Sequence, residues 1–149
     1  MRNKFFKLTV ALLFMTTMQA KAQQTTAPKH AKLERIMDAI IQVESEGNAK
    51  AHNKRGNCAG ILQITPIFVK EANDILRKRG EKKRFTLADR FNVEKSKEMF
   101  FILQEHFNPS AQTEKAIRLW NGGPYYKKAK TQKYYEKVMA AYRRGNNAT

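Results

Sequence analysis

The chain has 149 residues, of which 29 are Lys or Arg and 13 are Asp or Glu, giving a formal net charge of +16. This length allows one domain with a single hydrophobic core, and nothing in the chain indicates a second. The only cysteine, Cys58, excludes an intramolecular disulfide, so side-chain packing must stabilise the fold. A charge this basic is typical of a protein that binds a polyanion or an anionic surface.

Residues 1–22 are typical of a secretory signal peptide. A basic start precedes an apolar run, Leu8–Met18, and Ala20–Ala22 fits the small-x-small rule for cleavage. The run is shorter than the ~20 residues that a membrane-spanning helix needs, so we expect no stable membrane anchor. We therefore expect an exported protein, periplasmic or secreted, with a flexible lead-in at residues 23–30 and one domain at residues 31–145.

The exported part keeps a strong positive charge. Four basic residues leave with the signal peptide, so 25 basic residues remain against 13 acidic ones, a net charge of +12. Nucleic acid, lipopolysaccharide and the bacterial cell wall all fit this charge, and composition does not choose among them. The three histidines lack the spacing of metal ligands, so we expect no metal site and no cofactor. We interpret Cys58 as a small, buried and inert side chain.

The first half of the domain predicts two helices separated by a loop. Apolar residues at a three-four spacing predict a helix from Ala31 that ends at Gly47. Residues 47–59 carry many turn formers and no periodicity, which predicts a loop. Thr65–Pro66 is a typical helix start, a threonine cap before a proline, and Gly80 fits the left-handed position after the last turn.

Three further helices are predicted in the second half. Asn92 can cap a third helix, which ends before Pro109. A fourth helix is predicted at about Ala111–Leu119, and a last one at about Lys133–Arg143, closed by Gly145. No strand-like alternation of apolar and polar residues is present, so we expect an all-α domain of about five helices.

Glu44 is the strongest candidate for chemistry. It continues the apolar stripe of Ile36 and Ile40 by one turn, so its side chain points toward the core. Partial burial and the negative end of the helix macrodipole both disfavour the carboxylate and raise its pKa. Glu44 would then donate a proton near neutral pH, as glycosidic cleavage requires. The alternative is a solvated helix end, which is our interpretation of Glu46.

Three other polar positions have both a structural and a functional interpretation. Gln63 interrupts an apolar run, so its amide binds either backbone or sugar hydroxyl and acetamido groups. Trp120–Asn121, before a Gly-Gly-Pro turn, is either a packed indole at a turn or a sugar-binding wall, because sugars stack on aromatic rings. Ser45 either ends the helix or hydrogen-bonds the backbone or a carboxylate nearby.

Three motifs in chain order carry a resemblance to a known family. They are VES followed by GNAKA, then GILQITP, then AIRLWNGGP. They resemble the E-S, G-L-M-Q and A-Y-N-A-G-P motifs of the lytic transglycosylase SLT domain, which belongs to the lysozyme-like superfamily. The resemblance spans about Leu33–Val138, and three ordered motifs are far more specific than one. It implies a small lysozyme-like fold.

The resemblance also implies an activity, the cleavage of peptidoglycan at the β-1,4 bond between N-acetylmuramic acid and N-acetylglucosamine. Glu44 matches the family's sole catalytic acid/base, which protonates the leaving oxygen. As a carboxylate it then takes a proton from the muramoyl 6-hydroxyl, closing a 1,6-anhydro ring without a second carboxylate. The other matched positions, implied to bind substrate, are Ser45, Gly60, Leu62, Gln63, Trp120 and Asn121.

The chain departs from the family pattern at three places. Trp120 replaces the usual tyrosine, so a hydroxyl is lost while a stacking ring is kept. Ile61–Leu62 replaces Leu-Met, a mild change in an apolar wall. Asn57–Cys58 makes the loop before the second motif one residue longer. These departures bear on substrate preference and product more than on the fold.

Several alternatives stay open. A muramidase on the same fold would use water and a second group such as Asp74, Asp89 or Glu46. A non-catalytic wall-binding or assembly protein would have no need of Glu44. A nucleic-acid binder would use the basic, tyrosine-rich residues 125–144, but a solvated helix face with inward tyrosines fits an exported protein better. We expect a monomer whose partner is peptidoglycan glycan strands and not nucleic acid, with a cell-envelope assembly partner as a further candidate.

Overall fold

The protein is built mainly of helices. The computed structural model describes residues 27–147, so the expected signal peptide lies outside the described residues. In chain order the elements are α1 (residues 27–44), β1 (His52–Asn53), β2 (Cys58–Ala59), α2 (Pro66–Lys78), a 3-10 helix (Leu87–Phe91), α3 (Val93–Phe107), α4 (Thr113–Gly122) and α5 (Lys128–Asn147). The prediction of a small all-α domain of about five helices is confirmed.

Helix α1 extends further toward the N-terminus than its apolar stripe. Residues 27–30 are helical, although the sequence predicted part of a flexible lead-in there. These residues are exposed, so no buried face marks them as helical in the sequence. The core described below belongs to the compact unit that begins at Leu33.

Helices α2 and α3 begin where local signals predict. The Thr65 hydroxyl accepts a hydrogen bond from the Phe68 backbone N–H at 3.3 Å, and Pro66 is the first helical residue. Asn92 caps α3 in the same way. Gly80 follows α2 with a φ of +75°, a conformation that glycine adopts without steric cost. These predictions succeed because a cap and its helix are neighbours in sequence.

Three short elements were not predicted. Strands β1 and β2 form an antiparallel pair inside the predicted loop, with His52 opposite Ala59. Each strand has two residues, too few to show the period of a strand in sequence. The 3-10 helix is capped at Thr86, whose backbone N–H donates a hydrogen bond to the Asp89 carboxylate at 2.8 Å. It lies between Gly80 and Asn92, where no helix was predicted.

Helix α5 is longer than predicted at both ends. It begins at Lys128, and its first turn is exposed and rich in lysine, so apolar spacing does not reveal it. At the other end it passes through Gly145, which was predicted to close it. A glycine inside a helix costs only about 1 kcal/mol relative to alanine, which the rest of the helix offsets. Helix α4 likewise extends past its predicted end, to Gly122.

The core lies between pairs of packed helices. Helix α2 packs against α3, and α4 packs against α5. Burying a large aliphatic or aromatic side chain contributes about 1.5–3 kcal/mol, so this core stabilises the fold without a disulfide. Its largest fully buried apolar side chains are Ile36, Ile40, Leu62, Ile64, Ile75, Leu76, Met99, Phe100, Leu103, Ile117 and Leu119.

Candidate active site

Glu44 is the last helical residue of α1, and its side chain is partly buried. Ile40 and Ile36, one and two turns earlier, are fully buried. Because residues four apart lie on one face of a helix, Glu44 extends this buried stripe to the edge of the core. The prediction that Glu44 points inward is confirmed. Glu46, by contrast, is exposed and lies beyond the helix with a φ of 54°.

A tyrosine from the last helix holds the Glu44 carboxyl group. The Tyr134 hydroxyl donates a hydrogen bond to Glu44 Oε1 at 2.6 Å, although 90 positions separate the two residues. Burial is the largest influence on the pKa of Glu44 and raises it, whereas the Tyr134 hydrogen bond and the charge of Lys137 lower it. The pKa is raised on balance, so Glu44 keeps its proton to a higher pH than an ordinary glutamate.

Tyr134 is a functional residue that the sequence analysis missed. It was placed on the apolar face of the last helix, without a partner for its hydroxyl. Burial, followed by the charge of Glu44, raises the pKa of the Tyr134 phenol. The phenol therefore stays protonated and remains a hydrogen-bond donor. The sequence offered one signal, the position of Tyr134 on the apolar face of its helix. A buried tyrosine hydroxyl usually requires a polar partner.

Helix α5, which carries Tyr134, is fixed to α4 by a buried arginine. Arg118 is 3% exposed. Its guanidinium donates hydrogen bonds to the Lys128 carbonyl at 3.0 Å, to Thr131 Oγ1 at 2.9 Å and to Gln132 Oε1 at 2.7 Å. These bonds hold the first turn and a half of α5. They therefore constrain the position of the tyrosine that contacts Glu44.

Ser45 connects the end of α1 to the second-motif loop, which we define as residues 57–64. Its hydroxyl donates a hydrogen bond to the Ile61 carbonyl at 2.7 Å. The two residues are 16 positions apart, so this bond fixes one motif against the other. The bond therefore helps to position the end of α1, which carries Glu44, and contact between Ser45 and substrate stays a prediction.

Gly60 and Leu62 shape the second-motif loop from the inside. Gly60 has a φ of +76°, and a Cβ atom at this position would lie 1.7 Å from the Arg90 carbonyl oxygen, so no side chain fits. Leu62 is fully buried in the core. Both residues were predicted to bind substrate. This stays a prediction, and Gly60 is limited to contact through its backbone, while Leu62 has no exposed surface.

Gln63 differs from its neighbours because it is only partly buried. Its backbone has a φ of 47°, an uncommon value for a residue other than glycine. The side-chain Nε2 donates to the carbonyls of Ala51 at 3.2 Å and Gly60 at 2.9 Å. No residue between 27 and 147 donates a hydrogen bond to its Oε1. That oxygen can therefore accept a hydrogen bond from a sugar hydroxyl or an acetamido N–H.

A second buried arginine, also missed in the sequence, lies beneath the second-motif loop. Arg90 is 6% exposed. Its guanidinium donates to the carbonyls of Asn57 at 2.8 Å, Ile64 at 3.2 Å and Leu87 at 2.9 Å. The Ser96 hydroxyl donates in turn to the Arg90 carbonyl at 2.9 Å. The loop that presents Gln63 is thus held at both of its ends by one side chain.

Trp120 lies in the core. It is 5% exposed, with its ring centroid 4.6 Å from that of Phe68 and 5.3 Å from that of Phe100. With so little of its surface exposed, the indole offers almost no area for stacking on a sugar. Tryptophan suits this position as a large apolar residue, which was the structural interpretation of the motif.

Asn121, next to Trp120, is exposed at the end of α4. It lines a cavity of about 350 Å³ together with Tyr125, Lys127 and Lys130. At the end of helix α4, the Trp120 side chain lies in the core, whereas Asn121 lines this cavity. The Asn121 side chain is therefore accessible to a ligand, and its role in binding substrate stays a prediction.

The comparisons with known proteins bear on these motifs. The family model described as Transglycosylase SLT domain matches residues 21–149. The chain belongs to the transglycosylase SLT domain family. Comparison with curated proteins and comparison with solved structures gave no match. Family membership implies lytic transglycosylase-type activity with peptidoglycan as the substrate, as the motif resemblance predicted.

Two carboxylates proposed as a second group in a muramidase have structural roles in this SLT domain. Hydrogen bonds from Lys70, and then from Arg77, lower the pKa of Asp74. Hydrogen bonds from Lys95, and then from the Thr86 backbone, lower the pKa of Asp89. Both groups are therefore ionised and tied to neighbouring side chains. Among these carboxyl groups, burial is the largest influence on the pKa of Glu44 alone; for Asp74 and Asp89, hydrogen bonds from lysine outweigh it.

Cys58 of the SLT domain is partly buried, less than predicted. Its Sγ donates to the Gly56 carbonyl at 3.4 Å. Burial, and then the charge of Glu44, raise the pKa of the thiol, so it stays protonated and unreactive.

Among residues 27–147, no group of three or more His, Cys, Asp or Glu side chains has the arrangement of a metal site. Over the same residues, no helix has the length and apolar character needed to cross a membrane.

Proposed function

We propose that the chain is a peptidoglycan lytic transglycosylase that breaks the β-1,4 bond between N-acetylmuramic acid and N-acetylglucosamine. Glu44 is the single acid and base, and the products carry 1,6-anhydro ends. The observation that carries this proposal is the partly buried Glu44 carboxyl, which receives a 2.6 Å hydrogen bond from Tyr134 and has a raised pKa. A carboxyl group with those properties is suited to general acid catalysis.

In the first half of the reaction, protonated Glu44 gives its proton to the glycosidic oxygen. The bond between that oxygen and the muramoyl C1 breaks, and the oxygen leaves as the 4-hydroxyl of N-acetylglucosamine. Burial supports this half, because it raises the pKa of Glu44 and keeps the proton on the carboxyl group at the pH of the reaction.

In the second half, the Glu44 carboxylate takes the proton of the muramoyl 6-hydroxyl. The 6-oxygen then bonds to C1 and closes the anhydro ring, and Glu44 is protonated again without the use of water. The Tyr134 hydroxyl and the charge of Lys137 support this half, since both favour the carboxylate. One carboxyl group therefore serves both halves, with opposing influences on its pKa.

Digestion of purified peptidoglycan by the mature chain tests this function. Soluble fragments analysed by mass spectrometry should carry anhydromuramoyl ends, which are lighter than reducing ends by one water. Fragments with reducing ends would instead identify a muramidase, and the transglycosylase proposal would fail. Binding to the wall without release of fragments would favour the non-catalytic wall-binding or assembly protein.

We also propose that the chain acts outside the cytoplasm, in the periplasm or after secretion. The support is the N-terminal pattern of residues 1–22, a basic start, an apolar run and a small-x-small site. N-terminal sequencing of the protein from the cell envelope should give a start near Gln23. A start at Met1 in exported protein would contradict cleavage.

A further inference from the structure

A basic cavity lies beside the third motif. It has a volume of about 350 Å³, and its lining residues are Asn121, Gly122, Tyr125, Tyr126, Lys127, Lys130 and Thr131. Tyr125 is 95% exposed, which is unusual for a large ring without a ligand or partner. The cavity therefore combines two ammonium groups, an exposed amide and an exposed aromatic ring.

This basic cavity lies close to the Glu44 side of α5. Lys130 precedes Tyr134 by four residues, so the two side chains occupy the same helix face about 6 Å apart along the axis. Tyr134 donates the hydrogen bond to Glu44. One turn further, Lys137 is near enough for its charge to lower the pKa of Glu44. Positive charge thus extends along α5 from the cavity to the acid.

The two cavity lysines are not neutralised. Lys128, between them in sequence, pairs with Glu114 at 3.1 Å. Within residues 27–147, Lys127 and Lys130 form no ion pair, although both line the same concave surface. Two like charges held in a cavity repel each other, and a bound anion relieves that repulsion.

We propose that the basic cavity is a subsite for the carboxylates of the peptidoglycan stem peptide. This inference rests on the proposed function, in which the bond that is cleaved lies at a muramoyl residue. The stem peptide is attached to the same residue, so it must leave the cleft within about one sugar of Glu44. The cavity is lined by Lys130, one helical turn from the tyrosine that contacts Glu44, and its lysines match the charge of the peptide carboxylates. The amide of Asn121 and the ring of Tyr125 can contact the sugar or the peptide backbone.

The test compares two double variants. Lys127→Gln with Lys130→Gln removes the charge of the cavity. Lys78→Gln with Lys82→Gln, at exposed positions outside the cavity, removes the same net charge and is the matched control. Each protein digests soluble glycan strands with stem peptides that carry free carboxylates, and the same strands with amidated carboxylates.

We expect the cavity variant to raise KM about 3- to 30-fold on the carboxylate-bearing strands, with kcat nearly unchanged, which corresponds to the loss of two exposed ion pairs. The effect should disappear on amidated strands, and the control variant should match the wild type on both substrates. An equal loss on amidated strands, or an equal loss in the control, would overturn the subsite. So would a KM that does not change.

Binding separates this inference from the proposed function. Calorimetry measures the affinity of each variant, in a Glu44→Gln background, for a muropeptide fragment with free carboxylates and for its amidated form. A preference for free carboxylates that the cavity variant loses would support the subsite even if no strand is cleaved. Equal affinity for both fragments in the parent protein would overturn it.

Discussion

Glu44 and Asp74 show how two carboxyl groups on helices of one domain acquire opposite properties. Asp74 lies between Lys70 at 2.6 Å and Arg77 at 2.7 Å, and these partners lower its pKa. Glu44 receives one hydrogen bond from a neutral phenol, and burial raises its pKa. The carboxyl group with two cations beside it is a permanent anion. The one kept from water is suited to release and recover a proton.

The two groups also differ in where their partners come from. The partners of Asp74 are three and four residues away on the same helix, which places them on the same face. The partner of Glu44 is 90 residues away on α5. Local spacing can build an ion pair on any exposed helix, whereas the setting of Glu44 requires the whole core. Substitutions at these residues and their partners test this contrast.

The largest expected effect follows from replacing Glu44 by glutamine. Glu44→Gln keeps the size of the side chain but can neither donate the proton nor accept one, so peptidoglycan digestion should fall by at least ~10²–10⁴-fold. Because the amide removes the cost of burying a charge, its melting temperature at neutral pH should equal or exceed that of the wild type. Glu46→Gln, at the exposed position nearby, is the control and should digest normally. Digestion by Glu44→Gln near the wild-type rate would contradict the acid/base role.

Tyr134→Phe should have the next largest effect. It removes the hydrogen bond that favours the carboxylate, worth about 1.5–3 kcal/mol for a charged partner, so digestion should slow by about 10- to 100-fold. The pKa of Glu44 should rise further, because a lowering influence is lost. The alkaline limb of the pH–rate profile, where Glu44 loses its proton, should therefore move to higher pH. An unchanged limb, or one at lower pH, would show that this bond does not control Glu44.

Lys137→Gln should act in the same direction with a smaller effect. Its charge lowers the pKa of Glu44 from an exposed position, where water and salt screen it. The alkaline limb should move slightly to higher pH, and the rate should change by less than about threefold. Lys133→Gln, an exposed lysine on the same helix, carries the same change in net charge and should leave the profile in place. A shift of equal size in both variants would indicate a general effect of charge.

Asp74→Asn should have the smallest effect, and on stability alone. The pKa of Asp74 is lowered in the folded protein, so its ion pairs stabilise the fold at neutral pH and are lost as pH falls through that lowered pKa. The melting temperature of the variant should be slightly lower than that of the wild type at neutral pH, and the difference should shrink in acid. Digestion should be unchanged. A loss of digestion would bring Asp74 into the mechanism and favour the muramidase.

The sequence predicted the parts of the site that depend on local spacing. The inward direction of Glu44 follows from the positions of Ile36 and Ile40, and the start of α2 follows from Thr65. The contact between Tyr134 and Glu44 could not be predicted in this way, since no local pattern specifies which residues meet across the core.

The sequence also could not separate motif residues that contact ligand from those that pack. Trp120 and Asn121 are neighbours in one motif, yet the first is buried and the second is exposed. Arg90 lies in a segment where the sequence predicted no helix or strand. Its guanidinium is nevertheless buried and donates hydrogen bonds to carbonyl groups of the second-motif loop. Both outcomes depend on tertiary packing, which charge and periodicity do not encode residue by residue.

The most direct test of the central claim is a titration of the side-chain carboxyl groups by ¹³C NMR, with the Glu44 signal assigned by its absence in Glu44→Gln. The account predicts that the midpoint of Glu44 lies above its ordinary value of 4.5, while that of Asp74 lies below its ordinary value of 3.8. A Glu44 midpoint at or below 4.5 would contradict the account, because the carboxyl group would then be an ordinary anion at neutral pH without a proton to donate.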